Sequence, residues 1–178
     1  NGNLLITLNR SYVGSFGGLN ALEVDALSLS AQAGAGGVNV SDDSELTIAG
    51  AELSIDRVNE QGASATVTDG ALIGVSTSGN GAIVLRTLVG AMTVAEKVEA
   101  AGSGNIRLET GSAAAQIVNS EVMSGSGNIS IFAGGSLDLS ADVTTGGDGT
   151  IDIASRMAGV TQSDGARITA LNGDVRLT

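Results

Sequence analysis

The chain has no cysteine, proline, histidine or tryptophan, and only one Tyr and two Phe among its 178 residues. Without cysteine there are no disulfides and no thiolate metal sites, and without histidine the commonest general base and metal ligand is missing. Redox and zinc chemistry are therefore excluded. With so few aromatics, a core has to be built from Ile, Leu, Val and Ala. Without proline, every residue after the first keeps the N–H that a buried strand ladder requires. Basic charge is scarce too: Lys97 is the only lysine, seven arginines are spread along the chain, and the net charge is −11. No phosphate-neutralising patch is available, which argues against nucleic acid as a partner. Apolar runs such as Ala71 to Val75 and Ala82 to Leu85 are far shorter than the ~20 residues of a membrane-spanning helix, so no membrane insertion is expected.

What the chain has in quantity is glycine, 27 residues, and 42% hydrophobic residues. Sharp turns are therefore available at many places, and a continuous core can be built. The sequence begins at Asn1 with neither an initiator Met nor a charged-then-apolar leader. It reads as a processed protein or a segment of a longer one.

The glycines and aliphatics are arranged in a repeat. The segments Gly81 to Leu85, Gly104 to Leu108, Gly127 to Ile131, Gly149 to Ile153 and Gly173 to Leu177 share one pattern: Gly, small or polar, aliphatic, any residue, aliphatic. The aliphatic anchors Ile83, Ile106, Ile129, Ile151 and Val175 recur at nearly constant spacing. The apolar residues alternate with a period of two, which is the period of a strand and not of a helix. Further short alternating runs lie between the anchors, such as Ala115 to Val118, Glu121 to Met123, Leu137 to Leu139 and Ala141 to Val143. The expected fold is all-β: a right-handed parallel β-helix (β-solenoid) with about three short strands per coil of 22–24 residues. Successive anchors would stack about 4.8 Å apart as inward ladders, one through Ile106, Ile129, Ile151 and Val175, the other through Leu108, Ile131, Ile153 and Leu177. Arg107, Ser130, Asp152 and Arg176 should then share one solvent-facing column, with Asp152 beside Arg176.

Toward the N-terminus the repeat is less regular. Val38, followed by Val40, precedes Ile83 by the length of two repeats, so one coil is expected between them. Its strands would be Leu46 to Ile48, Leu53 to Ile55, Ala65 to Val67 and Leu72 to Val75. Leu4, Ile6 and Leu8 look like one further anchor, but they precede Val38 by more than one repeat and less than two. The excess is assigned to a loop insertion at 10–19, carrying Tyr12 and Phe16, within a single solenoid domain spanning 1–178. Those two aromatics are the candidate contact residues. They would either anchor a partner or fold back as an end cap, since a solenoid end otherwise invites edge-to-edge association.

The recurring Gly-Asn-Ile-x-Leu, Gly134 to Leu139 (Gly-Gly-Ser-Leu-Asp-Leu) and Thr144 to Ile153 resemble the repeats of filamentous-haemagglutinin-like exoproteins of the two-partner secretion type. These are large bacterial adhesins built as right-handed parallel β-helices. The resemblance implies a non-catalytic structural or adhesive segment, extracellular or on the bacterial cell surface, with no cofactor. Its partners would be a host or neighbouring-cell surface, a matrix protein or a glycan, and copies could also associate end to end or laterally.

The alternative from another class is a carbohydrate-active parallel β-helix, a polysaccharide lyase or hydrolase, with outward carboxylates working on a sugar. Asp138, Asp142 and Asp152 are its candidates, although no Lys lies near them in sequence. Gly146 to Ile153 misses the nonapeptide calcium-roll pattern by one position, because Ile151 stands where an Asp is needed. A one-residue slip reverses a strand side chain, so no metal is expected there. Asp42-Asp43 reads as a turn. Gly79-Asn80-Gly81 and Gly102-Ser103-Gly104 read as corners requiring positive φ. Asn9, Asn39 and Asn128 match the glycosylation sequon, and Asn128 is expected to stack on Asn105 in a corner ladder.

Overall fold

The computed structural model describes residues 2–7, 13–14, 21–111 and 113–178. The described residues are all-β, and the chain winds as a parallel β-solenoid of about seven turns. In chain order the first strands are β1 (Gly2–Thr7), β2 (Leu22–Val24), β3 (Ala26–Ala33), β4 (Val38–Asp42) and β5 (Leu46–Ile48). A hairpin follows, β6 (Gly50–Val58) and β7 (Ser64–Ile73), and then β8 (Val75–Thr77). The regular coils are β9 (Ile83–Thr87), β10 (Met92–Val94) and β11 (Val98–Ala100); β12 (Ile106–Thr110), β13 (Gln116–Val118) and β14 (Val122–Ser124); and β15 (Ile129–Ala133), β16 (Leu137–Leu139) and β17 (Val143–Thr145). The last are β18 (Ile151–Ser155), β19 (Val160–Gln162), β20 (Ile168–Ala170) and β21 (Val175–Leu177).

Each coil contributes one strand to each of three walls. The long wall is a separate seven-stranded sheet in the order β2-β4-β9-β12-β15-β18-β21. The second wall runs β5-β10-β13-β16-β19 and the third β8-β11-β14-β17-β20, and β3 spans both, pairing β5 near its start and β8 near its end.

The anchor repeat sets the register of the long wall. Ile83, Ile106, Ile129, Ile151 and Val175 stand opposite one another in successive strands, and so do Leu85, Leu108, Ile131, Ile153 and Leu177. From Ile83 through Ile153 these side chains are at most 2% exposed. Each contributes roughly 1.5–3 kcal/mol by leaving water. The final strand, β21, pairs on one side only, with β18, and its Val175 and Leu177 are exposed.

The repeated glycine beside each anchor is explained by close approach, not by backbone sign. A Cβ at Gly104, Gly127 or Gly149 would lie 2.2–2.3 Å from the carbonyl oxygen of the corresponding glycine one coil earlier. Positive φ occurs just before it, at Gly79, Asn80, Gly102 and Gly147. Inward hydroxyls close the corners. Ser124 Oγ donates to Gly104 O (2.7 Å) and accepts from Gly127 N (2.9 Å), while Thr110 Oγ1 donates to Ala114 O (2.9 Å) and accepts from Gly134 N (3.0 Å). These bonds satisfy backbone groups that a corner leaves without ladder partners. One inward polar group breaks the pattern: Gln116 is fully buried between Met92 and Leu137, and its Oε1 has no partner.

The N-terminal part corrects two expectations. No extra coil lies between Val38 and Ile83, because the two residues are direct neighbours in the long wall. Leu46 to Ile48 is a wall strand, but Leu53 to Ile55 and Ala65 to Val67 belong to the antiparallel hairpin β6–β7. Its tip, Asn59 to Ala63, is closed by Asn59 Oδ1 accepting from the N–H groups of Gln61 and Ala63, with Gly62 at φ 77. Spacing alone does not separate a hairpin insertion from a repeat, since an alternating strand reads the same in a wall and in a ribbon. Nor is Leu4 to Ile6 a long-wall anchor: β1 pairs β3, with Leu4 opposite Leu29 and Ile6 opposite Ala31. Val13 takes the long-wall position instead, bridged to Val38 and 3% exposed. Tyr12 and Phe16 lie outside the described residues.

Candidate functional site

The outer side of the long wall gathers most of the strong side-chain interactions. In a short strand with inward aliphatics at alternate positions, the residues between them must face out. Arg107, Ser130, Asp152 and Arg176 thus form one column, and Ser41, Arg86, Glu109, Phe132 and Ala154 the next. The column expected from the sequence is present, including its terminal pair. Arg176 Nε donates to Asp152 Oδ1 (2.8 Å) and Nη2 to Oδ2 (2.6 Å), a two-point clamp between adjacent coils. The guanidinium holds the Asp152 carboxyl below its ordinary range.

The neighbouring column is more heavily linked than the sequence suggested. Arg107 donates from Nε and Nη2 to Glu109 Oε2 (3.1 and 2.9 Å), two positions along its own strand. The same guanidinium lies 4.7 Å from the centre of the Phe132 ring on the next coil, a cation–π contact. Arg156, just past β18, reaches back across the intervening coil to Glu109 Oε1 at 3.6 Å. Arg86 Nη2 donates to Asn39 Oδ1 at 3.2 Å. Phe132 stands one repeat after Glu109 and pairs with it in the wall, so the repeat spacing was the signal that could have brought them together.

The acids weighed for sugar chemistry do not all share one wall. Asp152 is on the long wall, whereas Asp138 is the outward residue of β16 on the second wall, between Ile117 and Thr161. Asp142 sits at the corner beyond it and accepts from the backbone N–H of Arg167 (2.8 Å). A hydrolase of the usual two-carboxylate design needs both carboxyls across one bond, within about 10 Å, and carboxylates on different walls do not face one bond. The one shifted acid, Asp152, is pushed toward its ionised form, the opposite of what a proton donor needs.

The remaining motifs are structural. Among the described residues, no group of three or more carboxylates could hold a metal ion. Asp42 is fully buried and caps a turn, accepting from the N–H groups of Ala26 and Ser44. Asn105 Oδ1 accepts from Asn128 N (2.8 Å) and Asn128 Oδ1 from Thr150 N (2.9 Å), the corner ladder read from the sequence. Asn39 of the second sequon is buried, and Asn9 of the first lies outside the described residues. At the corner between the second and third walls, Lys97 joins Glu99 (3.1 Å) and Glu121 (3.3 Å), tying two coils together.

These features define the chain as a parallel β-solenoid whose long wall carries charges bonded to one another. No protein-family model, curated protein or solved structure matches it.

Proposed function

We propose that the chain is a non-catalytic structural or adhesive solenoid segment of a secreted or cell-surface bacterial protein, projecting and displaying its outer walls. The observation that carries this reading is the repetition of one coil with its outward charges bonded to one another, Arg176 with Asp152 and Arg107 with Glu109. Residues engaged in that way hold the surface in shape and are not poised over a substrate. Likeness to the repeats of filamentous-haemagglutinin-like exoproteins supports export and contact with a host or neighbouring-cell surface, a matrix protein or a glycan.

The test is incubation with acidic and neutral polysaccharides, following reducing ends and unsaturated sugars, beside binding of the labelled protein to cells and matrix. The expected result is binding without cleavage. Cleavage abolished by Asp138→Ala or Asp152→Ala would overturn the reading in favour of a carbohydrate-active enzyme.

A further inference from the structure

Three asparagines of this chain are followed by glycine: Asn1, Asn80 and Asn172. Asn1 lies outside the described residues. Asn80 and Asn172 occupy the same place in the coil, where Ser103, Ser126 and Asp148 stand in the other coils. The glycine that follows is the one packed closely against the coil before. A Cβ at Gly173 would lie 2.1 Å from Gly149 O, so the stacking itself demands an Asn-Gly pair wherever the corner carries asparagine. Such a pair can react with itself, because glycine has no side chain to shield its backbone nitrogen from the neighbouring carboxamide carbon. An N–H already held in a hydrogen bond has first to be released.

In four coils the glycine N–H is held. The corners 78–82, 101–105 and 146–150 have five residues, and there the glycine donates to the carbonyl three residues earlier. Gly81 N reaches Ser78 O (3.1 Å), Gly104 N reaches Ala101 O (3.3 Å) and Gly149 N reaches Gly146 O (3.3 Å). The corner 125–128 is one residue shorter, so the position three residues back is the last residue of β14. Its hydroxyl serves instead: Gly127 N donates to Ser124 Oγ (2.9 Å).

The corner 171–174 is equally short, but the residue in the place of Ser124, reached through Thr145 in the wall register, is Ala170. Alanine has no oxygen to offer. Among the described residues Gly173 N–H makes no hydrogen bond, and neither does the exposed carboxamide of Asn172. Asn80 is exposed as well, yet it is fixed at φ 71, its Oδ1 accepts from Ser103 N (2.9 Å), and Gly81 is buried.

We propose that Asn172–Gly173 is a self-modifying site that converts to aspartate and isoaspartate with water as its only co-reactant, while Asn80–Gly81 is held unreactive. The Gly173 nitrogen gives up its proton and forms a bond to Cγ of Asn172. The bond from Cγ to the side-chain nitrogen breaks, and that nitrogen leaves as ammonia, taking the proton. The cyclic imide left behind adds one water. Opening at Cγ gives aspartate, and opening at the main-chain carbonyl of Asn172 gives isoaspartate; nothing is oxidised or reduced. Either product places a new carboxylate near Asp174. Isoaspartate also lengthens the main chain in the corner that leads into β21, so that strand has to shift against β18. The site goes beyond the scaffold reading and does not rest on it.

The experiment holds the purified protein in neutral buffer made with heavy-oxygen water, then locates each converted asparagine by peptide mass spectrometry. Rates are taken relative to those of the same chain in denaturant, which removes the effect of neighbouring residues. Asn172 should convert at least about tenfold faster than Asn80, the factor that ~1.4 kcal/mol of corner opening supplies. Ala170→Ser returns the acceptor that β14 possesses and should slow Asn172 severalfold, with circular dichroism confirming the fold. Ser124→Ala with Ser126→Asn makes the same test inside the stack and should open a reactive site at position 126. Asn172 staying unconverted overturns the proposal, and so does conversion of Asn80 at an equal rate. A folded Ala170→Ser that reacts as fast as the parent chain overturns it too, as does a folded double variant that stays unreactive at position 126.

Discussion

The regular coils from β9 to β18 and the hairpin β6–β7 are built from the same kind of sequence and are opposites in structure. Both read as short runs of alternating apolar and polar residues. In the coils the inward apolar side chains are at most 2% exposed, as in Ile83, Leu108 and Ile129, whereas in the hairpin Ile55 and Val58 are 48% and 66% exposed. The difference comes from neighbours: a wall strand has a copy of itself on each side and a closed prism behind it, and the ribbon has one partner and no interior. Alternation therefore marks a strand, and only stacking turns its apolar face into a core. At its base the hairpin does shield something, since the outward Ser28 and Ser30 of β3 are buried and Ser30 Oγ donates to Ala49 O beside it.

The sharpest way to break this contrast is to place one carboxylate in each region. Ile129→Asp puts an unpaired charge into a dry stack and should cost more than about 4 kcal/mol, unfolding several coils. Ile55→Asp should stay within about 0.5 kcal/mol. Equal melting temperatures for the two variants would refute the ladder.

Glycine gives the second contrast. Gly127→Ala drives a Cβ to 2.2 Å from Gly104 O, and since that neighbour is backbone the coils must separate locally, at about 1–3 kcal/mol. Gly70→Ala in the hairpin meets nothing within 4 Å and should be neutral or slightly stabilising. Chemical denaturation of both variants measures the difference.

The stack also contains a place to gain. Gln116→Leu removes a buried acceptor without a partner and should raise stability by about 1 kcal/mol, seen as a melting temperature higher by about 2–4 °C. A fall would mean that the amide is satisfied in solution, for example by buried water.

Excising residues 51–73 tests whether the hairpin is an insertion in the physical sense. The corner left behind, Ala49, Gly50 and Gly74, would be as long as the corner Ala95 to Lys97, and Val38 would precede Ile83 by one repeat, as in the other coils. The shortened chain should keep its β spectrum and lose about 1 kcal/mol or less, because the hairpin's large apolar side chains Ile55, Val58 and Ile73 are exposed and add little to the core. Collapse of the fold would show that the ribbon is a structural member.

The smallest effect is expected at Asp152. Its carboxyl is held below the ordinary range by Arg176, so its contribution is present above the unfolded value near ~3.9 and is lost as pH falls through the lower folded value. Asp152→Asn should lower the melting temperature slightly at neutral pH and leave it unchanged in strong acid, near pH ~2. An equal loss at both pH values would mean that packing, not charge, accounts for the pair.

Much of this molecule was readable from its letters alone. Local rules carry over to the structure wherever each coil repeats the last. The near-constant anchor spacing determined the long wall, its two inward ladders, the outward column from Arg107 to Arg176 and the corner stack of Asn105 under Asn128, because a parallel strand pairs with its own repeat at constant register. Tertiary structure alone decided three things. It took Leu53 to Val67 out of the wall as an antiparallel ribbon, since both pairings satisfy the same backbone groups. It placed β1 on β3 and not in the long wall, since two aliphatics in alternation fit either ladder. And it joined Arg107 to Phe132 and Arg156 to Glu109 across coils, since the reach of a long side chain depends on which strands stand side by side and has no period of its own in the sequence.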